Sequence, residues 1–430
     1  MSRRASVTAA LAIASLALAA GCGSSGSGSS ASTGSTEITV WHGYTDVENN
    51  AIIKLVGVWN KTNPTRKVNL VFDGGNDGAE TKTTAAIAAG KFPDIAYEFG
   101  SSATALASKK QTVDLTNVVT QPGWNWNDFY PGEREAATVN GKIVGLPALV
   151  DNLALVYNKK LFDAAGVAYP TASWTWEDFR AAAKKLTNAS TKQFGWAYIN
   201  DGSEDTVWRY LALLWQSGGS LLDSTGKAAG YDTPAGTKAM TLLQQMAVTD
   251  KSVYLDTGNG NYLNVFNSGK IAMLWTGPWD LSSIDPSVSY GTQVLPAPAG
   301  GSHASISGPD SWMIFNNGKA KVAAAEAFLQ WLLSPSVHLQ FATDTGDLPV
   351  RTSEEKDPGY GPFLAKYPGD KVFVANMTNV TLARPNITQY PEISASIGQA
   401  VQAVLLGKAT PAAALATSGK DVKAIFAASP

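Results

Sequence analysis

EITVW (37–41), KVNLVF (67–72) and DIAYEF (94–99) are three short runs rich in β-branched and aromatic residues, and a segment with helical spacing separates each from the next. Between Asn49 and Trp59, the residues Ile52, Ile53, Val56 and Trp59 recur on one helical face. Ala79 to Ala89 reads as a second helix, which Pro93 closes off. Strands alternating with helices in this way predict a parallel sheet covered by helices on both faces, an α/β fold.

The pattern recurs further along. LALVYN (153–158) reads as a strand, Thr175-Trp176-Glu177-Asp178 has the form of a capping box opening a helix through Leu186, and GWAYI (195–199) is again a strand. Thr206 to Trp215 is helical, IAMLW (271–275) and SWMIF (311–315) are strands, and Lys321 to Leu333 is an amphipathic helix. Ile393, Ile397, Ala400, Val401, Val404 and Leu405 share a helical face, and Thr410-Pro411 starts a last helix. A chain of 430 residues exceeds what one hydrophobic core normally supports, so two α/β lobes are expected.

The N-terminus has a different grammar. Arg3 and Arg4 precede an uncharged Ala/Leu-rich run from Val7 to Ala20, the layout of an export signal over residues 1–21. Leu18-Ala19-Ala20-Gly21-Cys22 resembles the bacterial lipobox, with Ala19 where Leu is preferred, and implies lipidation at Cys22. The Arg3-Arg4 pair hints at twin-arginine export without the rest of that motif. Residues 22–36 then form a Gly/Ser/Thr-rich leash, unable to bury apolar surface. The expectation is an exported protein, lipid-anchored to the outer face of the cytoplasmic membrane.

Composition excludes several classes. With 33 Lys+Arg against 35 Asp+Glu there is no basic footprint for nucleic acid. Cys22 is the only cysteine, so the body has neither disulfide nor thiolate metal site; His42, His303 and His338 are scattered, and no metal or cofactor is expected. No Gly-Lys pair is followed by Ser or Thr, and no GxSxG elbow occurs in the body. Thirteen Trp are many, and suit either a core or a ligand surface of flat apolar faces.

Taken in order, ITVWHGY (38–44), AAGKFPDI (88–95), GLPALVDNLALVYNKKLFDAAGV (145–167), SWTWEDF (173–179), FNSGKIAMLWTGPW (266–279), GPDSWMIF (308–315), GDLPVR (346–351) and PNITQYPEI (385–393) resemble an extracellular solute-binding protein of the sugar-binding group that serves ABC importers, the group of the maltose-binding and glycerol-3-phosphate-binding proteins. The resemblance implies a two-lobed periplasmic-binding-protein-like fold with the ligand cleft between the lobes. Lobe 1 is expected over 37–147 and 305–345, and lobe 2 over 148–304 and 346–430. It also implies a non-enzymatic monomer that captures a neutral sugar or oligosaccharide and delivers it to ABC permease subunits driven by a cytoplasmic ATPase. A receptor for glycerol-3-phosphate or another anionic polyol, and a secreted glycoside hydrolase with a Trp-lined cleft, are the alternatives.

Residue by residue, the resemblance places Tyr44 and Asp46 after the first strand and Glu98 and Ser101 just past the third, all toward the ligand. Asp73 follows the second strand, where the GGNDG after it equally suits a turn. Asp151 falls where the family uses an acid to accept hydrogen bonds from sugar hydroxyls. Trp279 is the expected platform for the apolar face of a pyranose, with Trp208 a second stacking aromatic or a core residue. Asp310 and Trp312 are expected at the cleft rim, and Arg384 either meets an anionic ligand or makes a surface salt bridge.

Overall fold

The computed structural model describes residues 35–428 apart from 259, 381 and 383, so the signal over 1–21 and Cys22 lie outside the described residues, as does the leash up to residue 34. Two five-stranded sheets organise the rest. The first runs in the order Val68–Phe72, Ile38–His42, Ile95–Phe99, Asp310–Ile314, Leu146–Leu149. The second runs Tyr290–Gln293, Ala154–Asn158, Ile271–Thr276, Phe194–Ile199, Val253–Asp256.

Both sheets are mixed rather than parallel throughout. Asp310–Ile314 lies antiparallel to both its neighbours, pairing Trp312 with Tyr97 and with Leu146. Ala154–Asn158 is antiparallel to Ile271–Thr276 and to Tyr290–Gln293. The alternating βα pattern held for the strands joined by helical crossovers, which are parallel. The antiparallel strands are those where the chain passes from one sheet to the other, a long-range event with no local signature.

Local signals set the helices. Asp46–Thr62 buries Ala51, Ile52, Leu55, Val56 and Trp59, whereas Ile53, about 100° round from Ile52, is 52% exposed. At Trp176–Leu186 the capping box is complete: Thr175 Oγ1 accepts from Asp178 N at 3.1 Å, and Thr175 N donates to Asp178 Oδ2 at 2.9 Å. Eight of the thirteen Trp are buried, so most of the aromatic content serves packing. Trp196, Trp275 and Phe179 stack mutually in the second lobe with ring centroids 5.2 to 5.5 Å apart. Among the described residues no helix is long and apolar enough to cross a membrane.

Three passages of chain run side by side between the sheets. Leu153 N donates to Ile306 O at 3.3 Å and Ser305 Oγ to Leu153 O at 2.7 Å. Asn376 Nδ2 donates to Asn152 Oδ1 at 2.7 Å and to Leu153 O, while Asn152 Nδ2 reaches Phe373 O at 2.9 Å. Buried asparagines thus satisfy backbone that has left its sheet. The segment around Leu348 and Arg351 faces the first sheet's side: Val150 bridges Leu348, and Arg351 Nε donates to Leu333 O at 2.8 Å.

Candidate functional site

A cavity of about 600 Å³ opens where carboxyl ends of strands from both sheets converge, the place where open α/β sheets hold ligands. From the first sheet's side come Thr45, Glu48, Asn76, Tyr97 and Phe99; from the passages Leu149, Asp151, Gly308 and Asp310; from the second sheet's side Ile199, Asp201, Glu204, Asp205, Trp208, Tyr262 and Trp279, with Arg384 closing the ring. A neighbouring hollow of about 1010 Å³, walled by Asp46, Asn50, Asn264 and Asp280, shares Thr45, Glu48, Gly260, Tyr262 and Trp279 with it, so the two make one elongated cleft. A separate open hollow of about 880 Å³ lies between the helices Trp176–Leu186 and Pro234–Gln244, remote from any convergence of strand ends.

Trp279 follows the strand Ile271–Thr276 in Gly277-Pro278-Trp279, and its indole folds back over Gly277, where a Cβ would stand 1.8 Å from Cζ3. Its ring centroid lies 5.7 Å from that of Trp208, at an interplanar angle of 47°. Trp208 is 5% exposed and its Nε1 has no hydrogen-bond partner. Asp280 braces the turn by accepting from Thr276 Oγ1 at 2.5 Å and from Tyr262 OH at 2.8 Å.

Asp151 sits on the passage leaving Leu146–Leu149, and its Oδ1 accepts from Gly308 N at 2.6 Å. A Cβ on Gly308 would meet that oxygen at 2.8 Å, so a larger residue there would push the carboxylate aside. Burial, the nearby Asp310 and Asp347 hold the Asp151 carboxyl well above the usual carboxylate range. Asp310 is pushed up to about 7 by burial, against the pull of Arg384 and of Tyr97, whose OH donates to Oδ2 at 2.5 Å. Half-buried Glu48 is raised by burial and by Asp347, Asp310 and Asp151.

The Arg384 side chain is 5% exposed and committed: Nη1 donates to Glu204 Oε1 at 2.8 Å, and Tyr390 OH and Ser394 Oγ bind the same carboxylate. Burial opposes its charge, but Glu204, Tyr390 and Asp310 outweigh that and raise its pKa. It is therefore a buried ion pair in the cleft wall, not a surface salt bridge. Arg209 similarly ties down Asp205 from below and donates Nε to Trp275 O at 3.1 Å.

Of the residues expected from sequence, Asp151, Trp208, Trp279, Asp310 and Arg384 line the inner cavity and Asp46 the adjoining hollow. Tyr44, Asp73, Glu98, Ser101 and Trp312 do not line either. Tyr44 is 1% exposed in a cluster with Tyr97 at 4.5 Å, Phe341 at 5.6 Å and Trp312 at 6.0 Å, and it is this cluster that covers Trp312, two residues deeper along its strand than Asp310. Glu98 alternates with Tyr97 and Phe99, so when those two face the cleft its side chain points to the opposite face of the sheet. There it is wholly buried, and burial, reinforced by Glu80 and Asp73 and opposed by the Thr83 hydroxyl, pushes its pKa up to about 8. Asp73 accepts from Gly75 N at 3.2 Å within its turn, and Ser101 is buried in the turn Gly100–Ser102.

Sequence reading missed Glu48, Glu204, Asp205 and Tyr262. Two of these had a signal: Ser203 caps the helix Glu204–Gln216, its Oγ accepting from Asp205 N at 3.2 Å, and a Ser followed by two acids marks a helix start two residues before Thr206. Glu48 and Tyr262 lie in the first turns of the helices Asp46–Thr62 and Asn261–Asn267, and nothing local distinguishes them from solvated helix residues.

Residues 45–338 match the family model described as bacterial extracellular solute-binding protein. An sn-glycerol-3-phosphate-binding periplasmic protein of Yersinia pseudotuberculosis is 24% identical over 417 residues, covering 90% of this chain and 91% of its own. The cyclic alpha-maltosyl-1,6-maltose binding protein of Arthrobacter globiformis superposes with a TM-score of 0.74 at 26% identity, over 91% of this chain and 99% of that one. An ABC transporter solute binding protein of Thermotoga lettingae bound with alpha-D-tagatose gives a TM-score of 0.81 at 25% identity, over 91% and 100%.

Proposed function

Since the chain belongs to the family of bacterial extracellular solute-binding proteins, we propose that its cleft captures a sugar or short oligosaccharide and presents it to the membrane permease of an ABC importer. The family is one of binding proteins, not enzymes. The observation that carries the carbohydrate reading is the pairing of two indoles, Trp208 and Trp279, with the carboxylates of Asp151 and Asp310 in one cleft. An indole covers the apolar C–H face of a pyranose, and carboxylates accept from its hydroxyls. Solved relatives of the same fold bind cyclic maltosyl-maltose and tagatose.

A polyol phosphate fits the wall less well. Among the described residues Arg384 is its only basic residue and is already held by Glu204, so a phosphate would face carboxylates with no free cation. We further propose lipidation at Cys22 as the anchor. We also propose the lobe division 37–147 and 305–345 against 148–304 and 346–430, with the Val150–Leu348 bridge and the Arg351–Leu333 hydrogen bond supporting transfer of the segment around Leu348 to Arg351 to lobe 1.

A thermal-shift screen of mono-, di- and trisaccharides together with glycerol phosphates tests the reading. Ligand at about 1,000 times its dissociation constant adds about 4 kcal/mol of stability, a readable shift. Stabilisation by a saccharide is expected. Stabilisation by glycerol-3-phosphate alone overturns the carbohydrate assignment.

A further inference from the structure

The inner cavity is far richer in acids than in bases. Glu48, Asp151, Asp201, Glu204, Asp205 and Asp310 face it, against Arg384 alone. Arg384 is held by Glu204, and Arg209 beneath the wall by Asp205, which among the described residues leaves Glu48, Asp151, Asp201 and Asp310 without a direct ion pair, the charge of Arg384 offsetting part of that on Asp151 and Asp310. Behind the wall, Asp347 and Glu133 are buried with carboxylate oxygens that have no partner, and Asp347 acts on Glu48, Asp151 and Asp310 through its charge.

Asp151 adds an independent observation. It is 7% exposed and lines the cavity, and among the described residues its carboxylate accepts one hydrogen bond, from Gly308 N to Oδ1. Asp310, 4% exposed on the same wall, accepts from Tyr97 OH at Oδ2 and is further stabilised by the backbone N–H of Gly100. A sugar hydroxyl can satisfy a carboxylate's lone pair, but it leaves the crowded negative charge in place. A protonated nitrogen does both, bringing three donors and a unit charge. The ring faces of Trp208 and Trp279 on the same wall also attract cations.

We propose that the solute carries a protonated nitrogen on its polyhydroxylated skeleton, as an amino sugar does, with the ammonium received by Asp151 and Asp310. This rests on the carbohydrate reading and narrows it by charge. Asp151 becomes the specificity residue for the nitrogen, while the indoles hold the ring.

Calorimetry on the full mature chain at pH 7 tests it, with glucosamine and its disaccharide against their N-acetylated and hydroxyl counterparts, and glycerol-3-phosphate. An amino sugar is expected to bind at least about 10-fold tighter than both counterparts. Asp151→Asn, which keeps an acceptor for Gly308 N, should reduce that preference to about twofold or less, the amine losing more affinity than the neutral sugar. Should Asp151→Asn fail to fold, Glu48→Gln at the half-buried rim is expected to lower the preference in the same direction. Neutral sugars binding as tightly as the amines, a preference that survives both variants, or no amino sugar binding at all would each overturn the inference. In the first case the carbohydrate reading stands; binding of glycerol-3-phosphate alone removes both.

Discussion

Removing the Trp279 indole is the sharpest perturbation of the proposed site. The ring leans on Gly277 on one side and meets Trp208 at 5.7 Å, which leaves about one face for ligand. A pyranose laid on that face covers roughly 80 to 100 Å² of a side chain that buries some 150 to 250 Å² in all. At about 25 cal/mol per Å² this amounts to about 2 to 2.5 kcal/mol, or a rise in Kd of roughly 30- to 70-fold for Trp279→Ala. Trp279→Phe should lose less, because a smaller flat face remains. Gly277→Ala provides a second route to the same end: its Cβ would stand 1.8 Å from the indole, which must swing away while staying in the chain. Calorimetry with the sugar found by screening, alongside thermal melts, reads all three. If Trp279→Ala binds within about twofold of the parent while its Tm falls, the indole is a packing residue and the stacking argument fails.

Other outcomes follow from the same structure. Asp151→Ala should weaken sugar binding by about 1.5 to 3 kcal/mol, the range for a hydrogen bond to a charged group, measured by the same titration. For Glu98 the folded-state pKa, about 8, lies above the ordinary 4.5, so the folded chain binds the extra proton between those values and stability should fall as pH rises through that window. Glu98→Gln, tested by melts from pH 5 to pH 9, should flatten that decline; an unchanged slope would remove Glu98 as its source. Cys22→Ser should move the protein from the membrane fraction to the medium, because the polar leash has no affinity for lipid. Unchanged fractionation on a gel would dismiss the lipid anchor.

Seven of the ten strands in the two large sheets were legible because each is a short apolar run bounded by turn residues, 38–42, 68–72 and 95–99 within a residue or two; Leu146–Leu149, Val253–Asp256 and Tyr290–Gln293 were not. Strand direction was not legible either, since Asp310–Ile314 takes its antiparallel place between Ile95–Phe99 and Leu146–Leu149 only after some 200 residues of intervening chain. The site divides along the same line. Trp279 and Asp151, named from turn and crossing motifs carried by family resemblance, do line the cavity. Glu98 and Trp312 were misdirected by proximity in sequence, because strand alternation sends Glu98 to the other face and depth along the strand hides Trp312 under Tyr44. Glu204 and Arg384 are 180 residues apart and meet in a buried pair that no spacing rule could join.

The position of Asp151 gives its carboxylate a consequence beyond local contact. It lies on one of the three passages between the sheets, and through Oδ1 it is bonded to Gly308 on another. These passages are held by asparagine and serine side chains at Asn152, Asn376 and Ser305 rather than by apolar packing alone. Trp208 and Trp279 stand on the second sheet's side of the cleft, and Tyr97 and Glu48 on the first. A solute stacked on the indoles and bonded to Asp151 therefore touches one sheet's side and the connection itself. One that also reaches Glu48 gains contacts from the other side, and only such differential contacts can shift a two-lobed protein between open and closed populations. For neutral ligands Glu48→Gln should then weaken binding chiefly when the ligand is long enough to span both walls, and leave a single uncharged ring held by the indoles and Asp151 nearly unaffected. Titration of a mono- and a disaccharide against that variant separates the two: equal losses for both would mean that Glu48 acts through the field of the cleft and not by contact across it.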